Sequence, residues 1–168
     1  MTSPPRIAAL IVAAGSGSRA GGTLPKQFAP VAGRPMLAHA VAAMSAHPAI
    51  AEVLVVVAEG QQATAAAVLS AMKARDVRIV VGGASRRESV ANGIAALPDA
   101  TQVLVHDAAR PFLPTSVVNS IIGALTTSDA AIPVLAVADT LARGLAGDGG
   151  LHLGATVPRD ALRDRRDQ

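Results

Sequence analysis

The sequence predicts a three-layer α/β fold with a mostly parallel central sheet. Short β-branched runs alternate with longer Ala-rich stretches along the chain. The runs at 8–12 and 53–57 are continuously apolar, and both give way to small or glycine residues. Strands covered on both faces lose the polar alternation of half-exposed ones, so such runs suit a buried parallel sheet. A β-α-β-α-β-α-β-α-β order then calls for right-handed crossovers.

Residues 8–12 read as the first strand, ended by Gly15-Ser16-Gly17-Ser18. Residues 35–46 read as a helix, with Pro35 suited to its first turn, where a missing N–H costs nothing. Residues 52–57 form the second strand, and 61–74 are helical by composition. Residues 77–81 form the third strand, closed by Gly82-Gly83. Ser85 is placed to cap a helix over 86–97, with Glu88 three residues on as its capping-box partner. Residues 102–106 form the fourth strand, and Thr115 or Ser116 opens a helix through Leu125. A fifth strand is expected over 130–137, although Pro133 argues against full ladder pairing there. The glycines at 144, 147, 149 and 150 mark an excursion, read as a hairpin arm.

Composition excludes several function classes. A chain of 168 residues suits one core, and 51% hydrophobic against 16% charged residues argues for a packed domain. The absence of Cys removes disulfides, thiolate metal sites and a Cys nucleophile. Two Phe with no Tyr or Trp leave no aromatic platform for stacking single-stranded bases. The net charge of +3 is not a nucleic-acid footprint, because Arg159, Arg163, Arg165 and Arg166 interleave with Asp160, Asp164 and Asp167. The remaining cations are scattered, some of them near glycine-rich stretches, which fits a small anionic ligand better than a phosphate-tracking groove. No run approaches the ~20 apolar residues of a bilayer span, and no signal peptide is evident. A cytoplasmic protein is expected, with no nucleic-acid or membrane partner.

In an open α/β sheet, ligands sit outside the carboxyl ends of the strands. Three chemically interesting stretches fall there: 15–26, 82–89 and 106–111. Ala13-Ala14-Gly15-Ser16-Gly17-Ser18-Arg19 directly follows the first strand. Glycines in that place let backbone N–H groups approach a phosphate. Two familiar patterns fail. A P-loop ends in Gly-Lys-Ser/Thr, whereas Lys26 stands between Pro25 and Gln27. The dinucleotide fingerprint needs a third glycine where Ala20 stands. The glycines alone read equally well as a plain βα turn, but Arg19 and Lys26 on the same loop suit a triphosphate. Asp107 at a strand's carboxyl end reads as a group facing the expected crevice or as a cap of the following turn. Ser89 reads as either a ligand contact or a packing residue, and Asp139-Thr140 also reads as an ordinary turn. Arg86 and Arg87 oppose the dipole at a helix start, which reads equally as the sign of a charge partner or as exposed side chains. His39, His47, His106 and His152 have no metal-ligand spacing and read as non-catalytic.

The glycine stretch followed by Leu24-Pro25-Lys26-Gln27-Phe28 resembles the signature of nucleotidyltransferases that build nucleoside-diphosphate sugars and alcohols. Three later stretches narrow the likeness: Gly82-Gly83-Ala84-Ser85-Arg86-Arg87-Glu88-Ser89-Val90, Val105-His106-Asp107-Ala108-Ala109-Arg110-Pro111, and Ile132-Pro133 through Asp139-Thr140. Together they resemble the 2-C-methyl-D-erythritol 4-phosphate cytidylyltransferase family, over residues 7–160.

The resemblance implies a Rossmann-like nucleotidyltransferase fold with a protruding arm near 139–155. It implies cytidylyl transfer from CTP to methylerythritol 4-phosphate, with Mg2+, in a homodimer. Carried over residue by residue, it places Ala13, Ala14, Gly15, Ser16, Gly17 and Ser18 on CTP. Arg19 and Lys26 fall on its phosphates as the catalytic cations. Gly83 and Ser89 fall on the cytosine and ribose region, Asp107 on Mg2+, and Arg110, Asp139, Thr140 and Arg159 on the acceptor. The family pattern continues beyond the Thr156-Val157-Pro158-Arg159 stretch into a Thr-Pro-Gln segment and a helix bearing a further lysine. Here the chain reads Leu162-Arg163-Asp164-Arg165-Arg166-Asp167-Gln168. The expectation is a single nucleotidyltransferase domain over 1–168, truncated at its C-terminus. Two alternatives follow: a related sugar- or alcohol-phosphate nucleotidyltransferase, or a nucleotide-binding domain without turnover.

Overall fold

The computed structural model describes residues 4–15, 24–72, 74 and 76–134. Its centre is a four-stranded parallel sheet of β1 (Ile7–Ala13), β4 (Ile50–Val57), β5 (Val77–Val81) and β6 (Gln102–Asp107). The spatial order is β5-β4-β1-β6. Helices α1 (Met36–Ser45), α2 (Gln62–Ala71), α3 (Arg86–Ala95) and α4 (Thr115–Ala124) follow the strands in alternation.

β1 lies between β4 and β6 and is apolar on both faces, as its composition requires. Ala9, Ile11 and Ala13 face one layer, where they meet Leu37, Val41 and Met44 of α1 and Ala65 and Leu69 of α2. Ala8 and Leu10 face the other layer, with Leu54, Val56 and Leu97. α3 lies on this second face, and Gly93 lets it close on β1. A Cβ built there would stand 2.4 Å from Leu10 Cδ1 and 3.0 Å from Val56 Cγ2. α4 packs through Val118 on Ile7 and Leu104, and His47 Nε2 lies 2.9 Å from Asn119 Oδ1. The three layers and the parallel sheet are therefore as expected.

The observed strand order is the first half of a doubly wound sheet. The connections through α1 and α2 step one way from β1, and the crossover through α3 returns to its other side as β6. The topological switch point thus falls between the carboxyl ends of β1 and β6. The register levels these ends: Ala13 pairs with Val57, Val57 with Val81, and Val12 with Asp107. The amino ends are tied separately, by Glu52 between Arg6 at 3.4 Å and Arg78 at 3.0 Å.

Several boundaries differ from expectation. α2 ends at Ala71 rather than at 74, and α3 ends at Ala95 with Ala96 as its C-cap. Ser85 caps α3 by accepting from Glu88 N at 3.1 Å, as predicted. The reciprocal bond goes elsewhere: Glu88 Oε2 accepts from Ala84 N at 2.8 Å, one residue upstream of a standard capping box. Residues 130–134 form no strand, and the rest of the expected fifth strand lies outside the described residues, as does the arm near 139–155. Among the described residues the outer edge of β6 has no strand beside it. A small hairpin, β2 (Pro30–Val31) with β3 (Arg34–Pro35), was not expected. Its turn is Ala32-Gly33, with φ of 48° and 76°, the positive pair of a type I′ turn.

Candidate functional site

Three segments meet at the carboxyl end of the sheet. The first is the end of β1 with Ala14 and Gly15. The chain returns to it through a single 3-10 turn, Lys26–Phe28, set up by Pro25 at φ −56°. Within that turn the residues divide by chemistry. Phe28 enters the core, Gln27 is buried, and Lys26 is exposed. Gln27 Nε2 donates to Ala13 O at 2.8 Å and to Gly15 O at 3.2 Å. The same nitrogen lies 2.8 Å from Gln61 Oε1 at the start of α2. Lys26 is thereby fixed by its neighbour to the backbone that ends β1. Arg19, Ser16, Gly17 and Ser18 lie outside the described residues.

The second segment is the loop after β5. Gly82 N donates to Val57 O at 2.8 Å, which extends the sheet by one residue. A Cβ on Gly82 would stand 2.5 Å from Ser89 Oγ and 2.9 Å from Ala14 Cβ. The close approach of the β1 and β5 ends therefore requires glycine there. Ser89 is only 1% exposed. Its hydroxyl donates to Ser85 O at 2.9 Å and accepts from Gly83 N at 3.1 Å. Ser89 thus fastens Gly83 to the helix that follows it, from beneath the loop. Of the two sequence readings of Ser89, the packing role is visible in these bonds.

The third segment follows β6. Ala108 N donates to Val12 O at 3.0 Å, so this end is levelled with β1. Asp107 has a side chain 35% exposed. Its Oδ1 accepts from Arg86 Nε at 3.1 Å and Nη2 at 3.0 Å, and its Oδ2 faces Arg110 Nε at 3.9 Å. Of the two readings of the helix-start cations, Arg86 has a charge partner, Asp107, reached across from the start of α3, and Arg87 is exposed. His106 Nε2 lies 2.9 Å from Arg110 O, so this histidine braces the turn that presents Arg110. His39 Nε2 lies 2.8 Å from Val31 O and holds the hairpin.

The structure thus brings Ala13, Ala14, Gly15, Lys26, Gly83, Ser89, Asp107 and Arg110 to one end of the sheet. Asp139, Thr140 and Arg159 lie outside the described residues. Sequence reading passed over Gln27 and the Arg86–Asp107 pair. The second was foreshadowed by the unfavourable helix-start charge. The first had no signal beyond an amide next to a candidate lysine.

Among the described residues no three His, Cys, Asp or Glu side chains gather as a metal cage. Among the described residues, Asp107 Oδ2 has no hydrogen bond, its ion-pair partner Arg110 Nε standing at 3.9 Å. That donor set fits Mg2+, which keeps most of its waters and is usually held by one or two carboxylates plus substrate phosphates. A cavity of about 720 Å3 lies beside the open edge of β6, lined mainly by aliphatic side chains such as Val103, Val117 and Ile121. It touches the polar cluster through Arg86. Among the described residues no helix is long and apolar enough to cross a membrane.

A family model described as 2-C-methyl-D-erythritol 4-phosphate cytidylyltransferase, IspD, matches residues 7–166. A bifunctional enzyme IspD/IspF of Rhizorhabdus wittichii is 52% identical over 162 residues, spanning 96% of this chain and 40% of that protein. A 2-C-methyl-D-erythritol 4-phosphate cytidylyltransferase of Ralstonia nicotianae is 47% identical over 165 residues, spanning 92% of this chain and 64% of that protein. The chain thus covers less than two thirds of either relative's length. A crystal structure of 4-diphosphocytidyl-2C-methyl-D-erythritol synthase superposes with a TM-score of 0.75 at 32% identity, covering 94% of this chain and 70% of that one.

Proposed function

Because the chain belongs to the 2-C-methyl-D-erythritol 4-phosphate cytidylyltransferase family, we propose that it carries the CTP site of that reaction at the carboxyl end of its sheet. The products are 4-diphosphocytidyl-2-C-methyl-D-erythritol and pyrophosphate. The observation that carries this reading is the convergence of the Ala13–Gly15 backbone, Lys26, Gly83 and Asp107 at the switch point between β1 and β6. Open α/β sheets bind nucleotides in that place.

In the reaction a phosphate oxygen of the acceptor attacks the α-phosphorus of CTP. The bond from that phosphorus to the bridging oxygen breaks, and its electron pair leaves with pyrophosphate. No covalent intermediate on the protein is needed. Catalysis is then positioning and charge stabilisation, both of which fixed backbone and cationic groups provide. Lys26, exposed on a turn anchored by Gln27 and Phe28, neutralises charge on the triphosphate, with Arg19 as the second cation. Gly83, clamped by Ser89, presents backbone to the base and ribose end. Asp107, together with the triphosphate, would hold Mg2+. When bound, that ion screens the negative charge on the phosphates.

Arg110 faces the acceptor's phosphate, and Asp139, Thr140 and Arg159 complete the acceptor grip in this proposal. A homodimer whose arm reaches the neighbouring site, in the cytoplasm and without nucleic acid, belongs to the same reading. The test is pyrophosphate release from CTP with and without methylerythritol 4-phosphate, run beside UTP, GTP and ATP. Release that needs both CTP and the acceptor supports the reading. Release favouring another nucleotide would assign the chain to a related nucleotidyltransferase. CTP binding without release would make it a binding domain.

A further inference from the structure

We propose that Gln27 is a positioning residue for the nucleotide: its buried amide sets the backbone at the end of β1 in the conformation that receives the triphosphate. The inference rests on the CTP-site reading above and extends it to a residue that does not touch the ligand.

Gln27 is 5% exposed, yet its amide nitrogen meets three oxygens from two other segments: Ala13 O, Gly15 O and Gln61 Oε1. Main-chain carbonyls only accept, so the nitrogen must face them, and Gln61 must present its oxygen. The orientation of both amides is thus fixed by the backbone. The peptide bonds here are trans. Drawing Ala13 O toward Gln27 therefore turns the Ala14 N–H to the opposite side. Lys26 is the adjacent residue of the same one-turn helix, so its placement and that of residues 13–15 share one anchor.

The chemistry of the anchor is specific. Only a donor satisfies two carbonyls, and Glu has nearly the same shape without one when ionised. A carboxyl group held against two carbonyl oxygens titrates above its ordinary ~4.3, because the charged form is both buried and repelled. Protonated, it regains one O–H donor.

The test is CTP affinity by calorimetry, with Mg2+ present, for the native chain and for Gln27→Glu between about pH 8.5 and about pH 6. Melting temperatures are taken in parallel. The ratio of variant to native Kd removes the titration of CTP itself. The expected ratio is large at high pH and shrinks as pH falls. Gln61→Met keeps Gln27 and removes one acceptor at a partly exposed position, and is expected to weaken CTP by roughly five-fold with the fold intact.

A ratio near one across the range, with only the melting temperature lowered, would make Gln27 a purely structural residue and overturn the inference. If Gln27→Glu does not fold, an unchanged Kd in Gln61→Met overturns it equally. No CTP binding by the native chain would instead defeat the underlying site reading.

Discussion

Arg86 directs Nε and Nη2 at a single oxygen of Asp107, at 3.1 and 3.0 Å, while among the described residues the second oxygen of that carboxylate meets only Arg110 Nε, at 3.9 Å, as an ion-pair partner. The pair joins the start of α3 to the end of β6 across the switch point. It also explains why Arg86 stands where the helix dipole disfavours a cation. With Oδ1 held by Arg86, Oδ2 is the oxygen that the proposed Mg2+ site would use, with a guanidinium charge beside it.

Arg86→Gln is expected to change stability by less than about 1 kcal/mol, because the arginine is 62% exposed and such pairs are screened. It is expected to tighten Mn2+ binding in the absence of nucleotide, since a competing cation leaves Asp107. Electron paramagnetic resonance of free Mn2+ measures this. Identical titrations for the native chain and the variant would show that Arg86 does not restrain Asp107.

Asp107→Asn is expected to raise the Mg2+ concentration needed for half-maximal pyrophosphate release. The amide keeps an acceptor oxygen but loses the charge that a hard cation requires. An unchanged metal titration curve would remove Asp107 from the metal site.

Lys26→Ala is expected to lower kcat/KM by about two to three decades. A cation ~4 Å from a phosphate oxygen contributes up to ~4 kcal/mol at an effective dielectric of about 20. Each 1.36 kcal/mol is about tenfold in rate. Because Lys26 is exposed, the melting temperature should hardly move. Steady-state kinetics and a thermal melt on the same variant check both halves.

Gly93→Ala tests the packing of α3. Alanine gains about 1 kcal/mol of helix propensity over glycine. Its Cβ would stand 2.4 Å from Leu10 Cδ1, so the fully buried Leu10 side chain would have to shift. Overpacking costs about 1–3 kcal/mol, so a net loss of about 1 kcal/mol is expected. Denaturant unfolding measures it, and a stabilised variant would contradict the close α3–β1 contact.

The sheet was legible because its signal is collective: β1 and β4 are apolar on both faces over several consecutive residues. No local conflict obscures that. The β2–β3 hairpin was not legible, since two-residue strands have no periodicity and its turn uses Ala32, not the Asn or Asp that marks such turns. The expected strand at 130–137 rested on composition. Pro133 cannot donate to a ladder, and residues 130–134 are indeed irregular. At the candidate site, exposed Lys26 and half-buried Asp107 were singled out from residue type and position after a strand. Gln27 was not, because what matters there is which carbonyls fold back against it, and that is set by tertiary structure. The Glu88 bond to Ala84 N escaped for the same reason: a long side chain chooses among N–H groups that only the folded loop brings near.

If the carboxyl ends of β1, β5 and β6 form a nucleoside triphosphate site, CTP with Mg2+ should perturb the amides there and nowhere else. Amide chemical-shift mapping of the labelled chain titrated with CTP and Mg2+ reads this out. Shifts are expected at residues 13–15, 26–27, 82–89 and 107–110, with Arg6, Glu52, Arg78 and Thr101 at the opposite end unmoved. Shifts centred on that opposite end, or none at saturating CTP, would contradict it.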